Sequence, residues 1–332
     1  MNIQTVAERA GVSVATVSRA FNFPDKVAPA TRELVERVAK ELGYLPNASA
    51  RTLRTQRSRV LGVVLPTLLN PTFAECLQGI AEAAAAGGYA IIPVTTGYEV
   101  EEEQRSVHQL LAGNVDGMIL VVSNPSNSVA LQRLHGAAVP YVLAYNRHPA
   151  HPCVSVDSER ASAEVVARLV RLGHRRIAMV SGTLAASDRS QQRYRGYLQG
   201  MADAGLDALP LLEVPFVETA VEAVRHYLEA APRPSALFCS NDLLAIRCIR
   251  AAHRNGLRVP QDLAVVGFDG IALGEDLTPA LSTVTQPNHD IGRHAVELLV
   301  KALAAGTAPG ADASLLLPHA FREGESYAAA PA

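Results

Sequence analysis

The residues of this chain that could bind a small molecule are polar side chains placed after short apolar runs. Each run predicts a strand, and the cleft of an open α/β sheet lies at the carboxyl ends of its strands. The candidates are Asn70, Phe73, Asn146, Arg147, Arg193, Phe216, Asn241 and Asp269. Amide and carboxylate groups beside an aromatic face suit a polyol, whose hydroxyl groups both donate and accept hydrogen bonds. The pattern predicts a sugar-sized site, although Asn241 could instead cap a helix and Asp269 could form a turn.

Motifs that would indicate catalysis are missing from the sequence. It contains no GxGxxG, GxxxxGK[ST], GxSxG or HExxH pattern and no EF-hand loop. The ten His residues fall mostly in loops or beside Arg, and the four Cys residues are scattered without CxxC spacing. We therefore expect no enzyme, no cofactor, no metal site and no disulfide scaffold. A carbohydrate kinase or isomerase is the alternative that an α/β fold leaves open.

From Arg59 onward, short apolar runs alternate with longer amphipathic stretches. The predicted strands are 60–65, 90–94, 117–122, 141–144, 176–180, 211–214, 236–239 and 263–268, and the predicted helices are 73–87, 102–113, 127–136, 158–172, 190–205, 219–230, 242–256 and 291–304. This alternation predicts parallel, doubly wound sheets with helices on both faces. These strand–helix units are more numerous than one open sheet of ordinary size contains, so we predict two lobes. Lobe 1 should comprise about 60–156 and 288–314, and lobe 2 about 157–287 and 315–332.

Residues 1–45 carry three helix signals and no strand signal, which predicts an all-α module. Thr5 could cap the first helix, Gly11 permits a tight turn, and Ser13 could cap a second helix. In the third helix, the apolar stripe should be Leu34, Val38 and Leu42. In the second helix, Val17, Ala20 and Phe21 should face the core, which leaves Val14, Ala15, Ser18 and Arg19 for the DNA major groove. A generic helical hairpin is the alternative.

The charge of the chain is unevenly distributed. Residues 1–59 hold 10 Lys and Arg residues against 5 Asp and Glu residues, and the rest of the chain holds 20 against 27. A basic N-terminal segment followed by an acidic remainder is typical of a protein whose N-terminal segment binds a polyanion. A basic, solvent-exposed helix face would give the same distribution of charge. No apolar run approaches the length of a membrane span, and the first residues lack a secretory h-region. We therefore expect a cytoplasmic protein.

Six segments, which follow the order and spacing found in the family, closely resemble the lactose/galactose (LacI-type) repressor family. They are TVAERAGVSVATVSRAFN, YLPNASARTL, LGVVLPTLLNPTFAE, LGHRRIAMVSG, CSNDLLA and VVGFDG. The resemblance covers the whole chain and implies a helix-turn-helix headpiece at 1–45, a hinge helix and linker at 46–59, and a periplasmic-binding-protein-like body at 60–332. A transport receptor would share this body, but it would need a secretory signal where this chain has a basic head.

The resemblance also implies how the chain meets DNA. The implied contact residues are Thr5, Val14, Ala15, Thr16, Ser18, Arg19, Asn22, Asn47, Ala50, Arg51 and Leu53. In the family, the hinge becomes helical when two copies pack in the minor groove, and a leucine at the position of Leu53 is pushed between base pairs. A homodimer on a near-palindromic operator is therefore expected. The sequence ends without a leucine heptad, so we expect no tetramerising tail.

The effector is expected to be a small molecule that releases the repressor from its operator. Arg147, Arg189, Arg193 and Arg195 supply more positive charge than a neutral sugar needs, and the segments at 97–105 and 114–117 look most like gluconate repressors. We therefore expect a sugar acid, with a neutral or phosphorylated sugar as alternatives. A co-repressor or activating mode of regulation is left open.

Overall fold

The computed structural model describes residues 2–44, 57–216 and 220–331, except for the side chains of Asn22 and Pro24. Its internal contacts divide the chain into two compact units, residues 1–58 and 59–332. We refer to them as the headpiece and the body. Among the described residues, no helix is both long and apolar enough to cross a membrane.

The headpiece contains three helices, α1 (Ile3–Ala10), α2 (Val14–Asn22) and α3 (Pro29–Glu41). Ser13 caps α2 as predicted, since its side chain accepts a hydrogen bond from the Thr16 N–H. The predicted Thr5 cap is wrong. The helix begins earlier, at Ile3, and Asn2 Oδ1 accepts from the Thr5 N–H at 3.0 Å. Gly11 ends α1 in the left-handed region, at a φ of 64°, where glycine meets no steric cost.

Each helix of the headpiece contributes to one small apolar core. The fully buried residues Val6, Val17 and Val35 represent the three helices in it. Ala20 is buried and Phe21 packs against the cluster, which confirms the predicted inner face of α2. In α3, Val38 is buried as predicted, whereas the predicted stripe residues Leu34 and Leu42 are only partly buried, because Val35 and Ala39 take the central positions.

The body consists of two α/β lobes, which confirms the predicted fold class. Lobe 1 contains β1 (Val60–Leu65), α4 (Pro71–Ala86), β2 (Ala90–Thr95), α5 (Val100–Ala112), β3 (Gly117–Leu120), α6 (Val129–Gly136), β4 (Tyr141–Ala144), β5 (Cys153–Val156), α11 (Asn288–Ala305) and β11 (Leu315–Leu317). Lobe 2 contains α7 (Ser158–Arg171), β6 (Ile177–Gly182), α8 (Asp188–Asp203), β7 (Leu212–Val214), α9 (Val221–Glu229), β8 (Ala236–Cys239), α10 (Asp242–Arg254), β9 (Ala264–Asp269), β10 (Ser282–Thr285) and β12 (Ala320–Arg322). The strand orders are β11-β5-β4-β3-β1-β2 and β12-β10-β9-β8-β6-β7. Within the described residues, every pairing is parallel except that of β12 with β10.

One predicted lobe boundary is wrong. The run 315–317 was expected in lobe 2, but β11 pairs with β5 in lobe 1, with Leu315 opposite Val154. The Cys153 N–H also donates to Ser314 Oγ at 3.0 Å, which holds the start of β11 beside β5. The chain returns to lobe 2 only at β12.

The chain connects the two lobes at one edge of their sheets. In the described part of the body, the chain crosses between lobes after β5, after β10 and after β11. These strands lie at or next to one edge of each sheet, whereas β2 and β7 form the opposite edges. The mouth of the cleft therefore lies near the carboxyl ends of β2 and β7.

Two helix pairs cross so closely that glycine is required. A Cβ on Gly79 of α4 would lie 2.0 Å from the carbonyl oxygen of His289 in α11. A Cβ on Gly196 of α8 would lie 2.0 Å from the carbonyl oxygen of Glu159 in α7. The two lobes thus use the same packing solution, in which a backbone-to-backbone approach leaves no room for a side chain.

Candidate effector site and DNA-facing helix

A small cavity lies between the lobes, at the carboxyl ends of several strands. We call it the inner cavity. Its lining residues are Asn70, Thr72, Phe73, Tyr98, Tyr145, Ser187, Arg189, Ser190, Arg193, Phe216, Asn241 and Asp269. Six of the eight residues proposed from sequence are among them: Asn70, Phe73, Arg193, Phe216, Asn241 and Asp269. The structure places Asn146 and Arg147 elsewhere.

An ion pair between Arg193 and Asp269 forms part of the lining of the inner cavity. The Arg193 Nη1 and Asp269 Oδ1 atoms are 3.2 Å apart, and both side chains are almost fully buried. Asp269 also accepts hydrogen bonds from Asn70 Nδ2 at 3.3 Å and Gln286 Nε2 at 2.9 Å. Burial raises the pKa of Asp269, and the nearby Arg193 opposes this rise. Burial likewise lowers the pKa of Arg193, against the charge of Asp269.

The Arg193 guanidinium is held rigidly but is not fully satisfied. Its Cζ lies 3.8 Å from the centroid of the Phe268 ring, and Nη1 also donates to the carbonyl of Ser240. Its Nε is buried and has no hydrogen-bond partner among the described residues. A buried donor without a partner costs free energy, so this atom favours a ligand that offers an acceptor.

Aromatic rings close two sides of the inner cavity. Phe73 and Tyr145 meet edge to face at 5.6 Å, and Tyr98 of lobe 1 stacks on Phe216 of lobe 2 at 4.2 Å. Burial raises the pKa of Tyr98 to about 12, so its hydroxyl group keeps its proton. Tyr98, Tyr145 and Asp269 all have positive φ values, of 68°, 63° and 124°. Backbone strain of this kind clusters at binding sites, where the surrounding structure holds it in place.

Asn146 connects the lobes instead of facing the inner cavity. It is fully buried, and its side chain bonds both the N–H and the C=O of Val122 at 2.9 Å. Its Nδ2 also donates to Asp188 Oδ1 of lobe 2 at 2.6 Å. The Asp188 N–H donates to the Ser123 carbonyl at 2.7 Å, and Arg189 Nη1 donates to the Val122 carbonyl at 2.9 Å. We call these contacts the latch.

The charge argument for a sugar acid is not supported by the structure. Each of the four arginines cited for it has a carboxylate partner: Arg147 pairs with Asp157, Arg189 with Asp188, Arg193 with Asp269 and Arg195 with Glu159. Arg147 and Arg195 are also about half exposed and lie outside the inner cavity. The four arginines therefore do not form a set of unpaired positive charges in the inner cavity.

The neighbours Asn241 and Asp242 divide their roles. Asn241 lines the inner cavity and also caps α10, because its Oδ1 accepts from the Leu244 N–H at 2.8 Å. Asp242 accepts from Thr283 Oγ1 at 2.5 Å and from the Ile271 N–H at 2.8 Å. Burial, and then the charge of Asp269, raise the pKa of Asp242 to about 7. The folded protein therefore holds a proton between about pH 4 and pH 7 that the unfolded chain has released.

Sequence reasoning missed several residues of the inner cavity. Tyr98 and Tyr145 follow β2 and β4, so the rule that selected Asn70 could have found them. Ser187 and Ser190 gave no comparable signal, because they lie around the start of α8 beyond a 3-10 turn.

The predicted DNA-facing residues of the headpiece share one side of α2. Val14, Ala15 and Arg19 are exposed and Thr16 and Ser18 are partly exposed, on the side of α2 away from the core. Thr5 is partly exposed on α1, and its hydroxyl donates to Asn2 Oδ1 at 3.0 Å. The Asn22 side chain and the hinge residues Asn47, Ala50, Arg51 and Leu53 lie outside the described residues.

Comparison with known proteins identifies the family. The family model described as "Bacterial regulatory proteins, lacI family" matches residues 2–47, and the model described as "Periplasmic binding protein-like domain" matches residues 166–327. The chain is 35% identical to catabolite control protein A of Priestia megaterium, covering 96% of this chain and 97% of that protein. It is 33% identical to the HTH-type transcriptional regulator GntR of Escherichia coli K12, covering 90% of each.

A solved structure agrees over nearly the full length. The lac repressor dimer bound to operator and the anti-inducer ONPF has a TM-score of 0.87 with this chain, at 27% identity and 99% coverage of both. These comparisons confirm the expected family and fold, and the expectation that the protein is a regulator and not an enzyme. The chain belongs to the lacI family of bacterial regulatory proteins and is a ligand-responsive, DNA-binding transcriptional repressor.

Proposed function

We propose that this repressor controls an operon for the use of a carbohydrate or sugar acid, and that a small polyhydroxylated effector releases it from its operator. The observation that carries the proposal is the buried Arg193–Asp269 pair with Asn70 at 3.3 Å from the same carboxylate. Guanidinium, carboxylate and amide groups around one point can bind vicinal hydroxyl groups in both hydrogen-bonding senses. The rings of Phe73 and Tyr145 offer an apolar face beside them.

Two effector classes fit the inner cavity for different reasons. The resemblance of residues 97–105 and 114–117 to gluconate repressors supports a sugar acid, whose carboxylate Arg193 could bind with two parallel hydrogen bonds. The ion pairs of Arg189 and Arg193 with carboxylates support a neutral sugar, because a ligand anion would have to compete with Asp188 or Asp269. A phosphorylated sugar would face the same competition.

For DNA, we propose that a dimer binds a near-palindromic duplex through α2 and the hinge. Val14, Ala15, Thr16, Ser18 and Arg19 would meet the major groove, with Thr5 and Asn22 beside them, while Asn47, Ala50, Arg51 and Leu53 would act in the minor groove. Each phosphate that a basic residue neutralises should add roughly 0.9 to the log–log salt dependence of binding. A salt-independent affinity would contradict this.

The test uses full-length protein and an operator duplex selected from a random library. Fluorescence anisotropy would follow release of the duplex by gluconate, glucose, galactose or ribose. In Arg193→Gln, the effector concentration for half release should rise by about tenfold or more, because several hydrogen bonds to the ligand are lost. Arg195→Gln is the matched control, since this residue lies on the same helix but outside the inner cavity.

Each result has a defined meaning for the proposal. If a sugar tightens the complex instead, the repressor uses a co-repressor and the proposed direction of regulation is wrong. If Arg193→Gln and Arg195→Gln respond alike to the effector, the inner cavity is not the effector site. Thermal unfolding of both variants, run alongside, separates a loss of fold from a loss of binding.

A further inference from the structure

A second, larger cavity, which is open to solvent, lies beside the inner cavity. We call it the outer cavity. Its lining residues are Gly97, Tyr98, Glu99, Val100, Glu101, Thr183, Ala185, Ala186, Pro215 and Phe216. They lie in the loops that follow β2, β6 and β7 and, for Val100 and Glu101, in the first turn of α5; β2 and β7 are the edge strands farthest from the crossovers. The outer cavity is thus the mouth of the cleft.

The two cavities share Tyr98 and Phe216, and only these two residues appear in the lining of both. Their rings stack at 4.2 Å with an interplanar angle of 9°, one ring from each lobe. The Phe216 ring occupies space that Gly182 leaves free, because a Cβ there would lie 2.1 Å from a ring carbon. Movement of the stacked pair would therefore join the cavities into one elongated site.

The chemistry of the outer cavity differs from that of the inner one. Glu99 and Glu101 contribute carboxylates and Thr183 a hydroxyl group, and none of the lining residues is Lys or Arg. Carboxylates accept hydrogen bonds from hydroxyl groups but repel an anion. Aromatic faces at the boundary also suit the flat side of a sugar or phenyl ring.

We propose that the outer cavity is a second subsite, which takes the second ring of a neutral two-ring effector such as a disaccharide or an aryl glycoside. The first ring would lie in the inner cavity against Asn70, Arg193 and Asp269, and the second would displace the contact between Tyr98 and Phe216. This inference rests on the proposed function, and it narrows the effector class to uncharged ligands longer than one sugar ring.

The test is calorimetry on the full-length protein with ligand pairs that differ only in the second ring. The pairs are glucose with cellobiose, galactose with lactose, and methyl with phenyl β-glucoside, and gluconate is added as a one-ring acid. For at least one pair, the two-ring ligand should bind tenfold or more tightly than its one-ring partner. Ala185→Phe, which fills the outer cavity from an exposed position, should remove that advantage but change one-ring affinity by less than about threefold. The matched control is Ala202→Phe, an exposed alanine in α8 that lines neither cavity.

The predicted neutrality of the second ring has its own test. 4-Carboxyphenyl β-glucoside should bind at least tenfold more weakly than phenyl β-glucoside, and the double variant Glu99→Gln/Glu101→Gln should reduce this difference. Equal affinity for the two glucosides would overturn the charge part of the proposal.

The remaining outcomes separate this inference from the function on which it rests. If one-ring ligands bind as tightly as their two-ring partners, or if Ala185→Phe weakens both equally, the second subsite is refuted and the proposed function stands. If gluconate is the only ligand that binds tightly, the second subsite is likewise refuted and the proposed function stands. If no sugar or sugar acid binds, the proposed effector class is wrong, and the second subsite is refuted with it.

Discussion

Asp188 is the side chain on which we expect closure of the two lobes to depend most strongly. Its Oδ1 accepts from Asn146 Nδ2 of lobe 1 at 2.6 Å and from Arg189 Nη1 at 3.1 Å, and its Oδ2 accepts from Gln192 Nε2 at 3.1 Å. Burial raises the pKa of Asp188, and the charge of Arg189 opposes this rise. The substitution Asp188→Asn keeps the size of the side chain but removes its charge and one acceptor.

The expected effect follows from the type of hydrogen bond that is lost. A hydrogen bond to a charged group contributes about 1.5–3 kcal/mol, whereas one between neutral groups contributes about 0.5–1.5 kcal/mol. Converting the contact with Asn146 from the first type to the second should therefore weaken closure by roughly 1.5 kcal/mol. Since about 1.4 kcal/mol corresponds to a factor of ten, the open arrangement should become about tenfold more populated.

Hydrogen exchange followed by mass spectrometry can measure this without a ligand. The Asp188 N–H of lobe 2 donates to the Ser123 carbonyl of lobe 1, so this bond protects the amide only while the lobes are closed. The peptide that contains this amide should exchange about tenfold faster in Asp188→Asn, whereas the Val122 N–H, which donates to Asn146 Oδ1 within lobe 1, should change less.

The control is Asp262→Asn, which loses an exposed ion pair with Arg258 within lobe 2. It should leave the exchange of the amide at position 188 unchanged. Our assignment of the latch would be refuted if Asp188→Asn exchanged at the wild-type rate there. It would equally be refuted if exchange rose by the same factor throughout β8, because that result indicates global destabilisation.

Three other substitutions probe the pH response, the DNA-facing helix and the packing of lobe 1. Because folded Asp242 has a pKa of about 7, its titration should lower the free energy of unfolding by up to about 1.4 kcal/mol per unit as the pH rises from 4 to 7, and urea titrations should show a shallower fall in Asp242→Asn than in the wild type. Arg19→Ala should weaken binding of a selected operator in fluorescence anisotropy by about 1–3 kcal/mol and relax preference at one base pair per half-site, while Arg37→Ala should not; equal weakening on all duplexes would make Arg19 a phosphate contact. Gly79→Ala should lower stability by about 1–3 kcal/mol in thermal unfolding, whereas Gly136→Ala, which points into open space, should not.

The sequence predicted the central strands well, because parallel strands that are buried on both faces read as continuous apolar runs. Strands β1, β4 and β8 have the predicted limits. The short strands β5, β10 and β12 were missed, since their sequences, CVSV, STVT and AFR, mix polar and apolar residues. The run 315–317 was recognised but placed in the wrong lobe, because an apolar tripeptide does not state which sheet it joins.

The candidate site could be predicted only as far as strand ends define it. Asn70 and Asp269 follow β1 and end β9, and the rule for open sheets brings them together across the cleft. The same rule failed for Asn146, whose side chain turns back to the Val122 backbone. The ion pair between Arg193 and Asp269 could not be predicted from the sequence either, because the two residues lie far apart in it.

The arrangement of the cleft limits what an effector must offer. A ligand shifts the lobe equilibrium only by the difference between the contacts it makes and those it replaces. A ligand in the inner cavity must compete with the bond between Asn70 and Asp269, which already joins the lobes. Of the latch residues, Arg189 lines that cavity, whereas Asn146 and Asp188 do not, so a ligand can leave the bond between Asn146 and Asp188 in place. A ligand that only reproduced the bond between Asn70 and Asp269 would therefore leave the equilibrium unchanged. The unpaired Nε of Arg193 offers a contact that closure alone does not satisfy, so we expect an effective ligand to place an acceptor there.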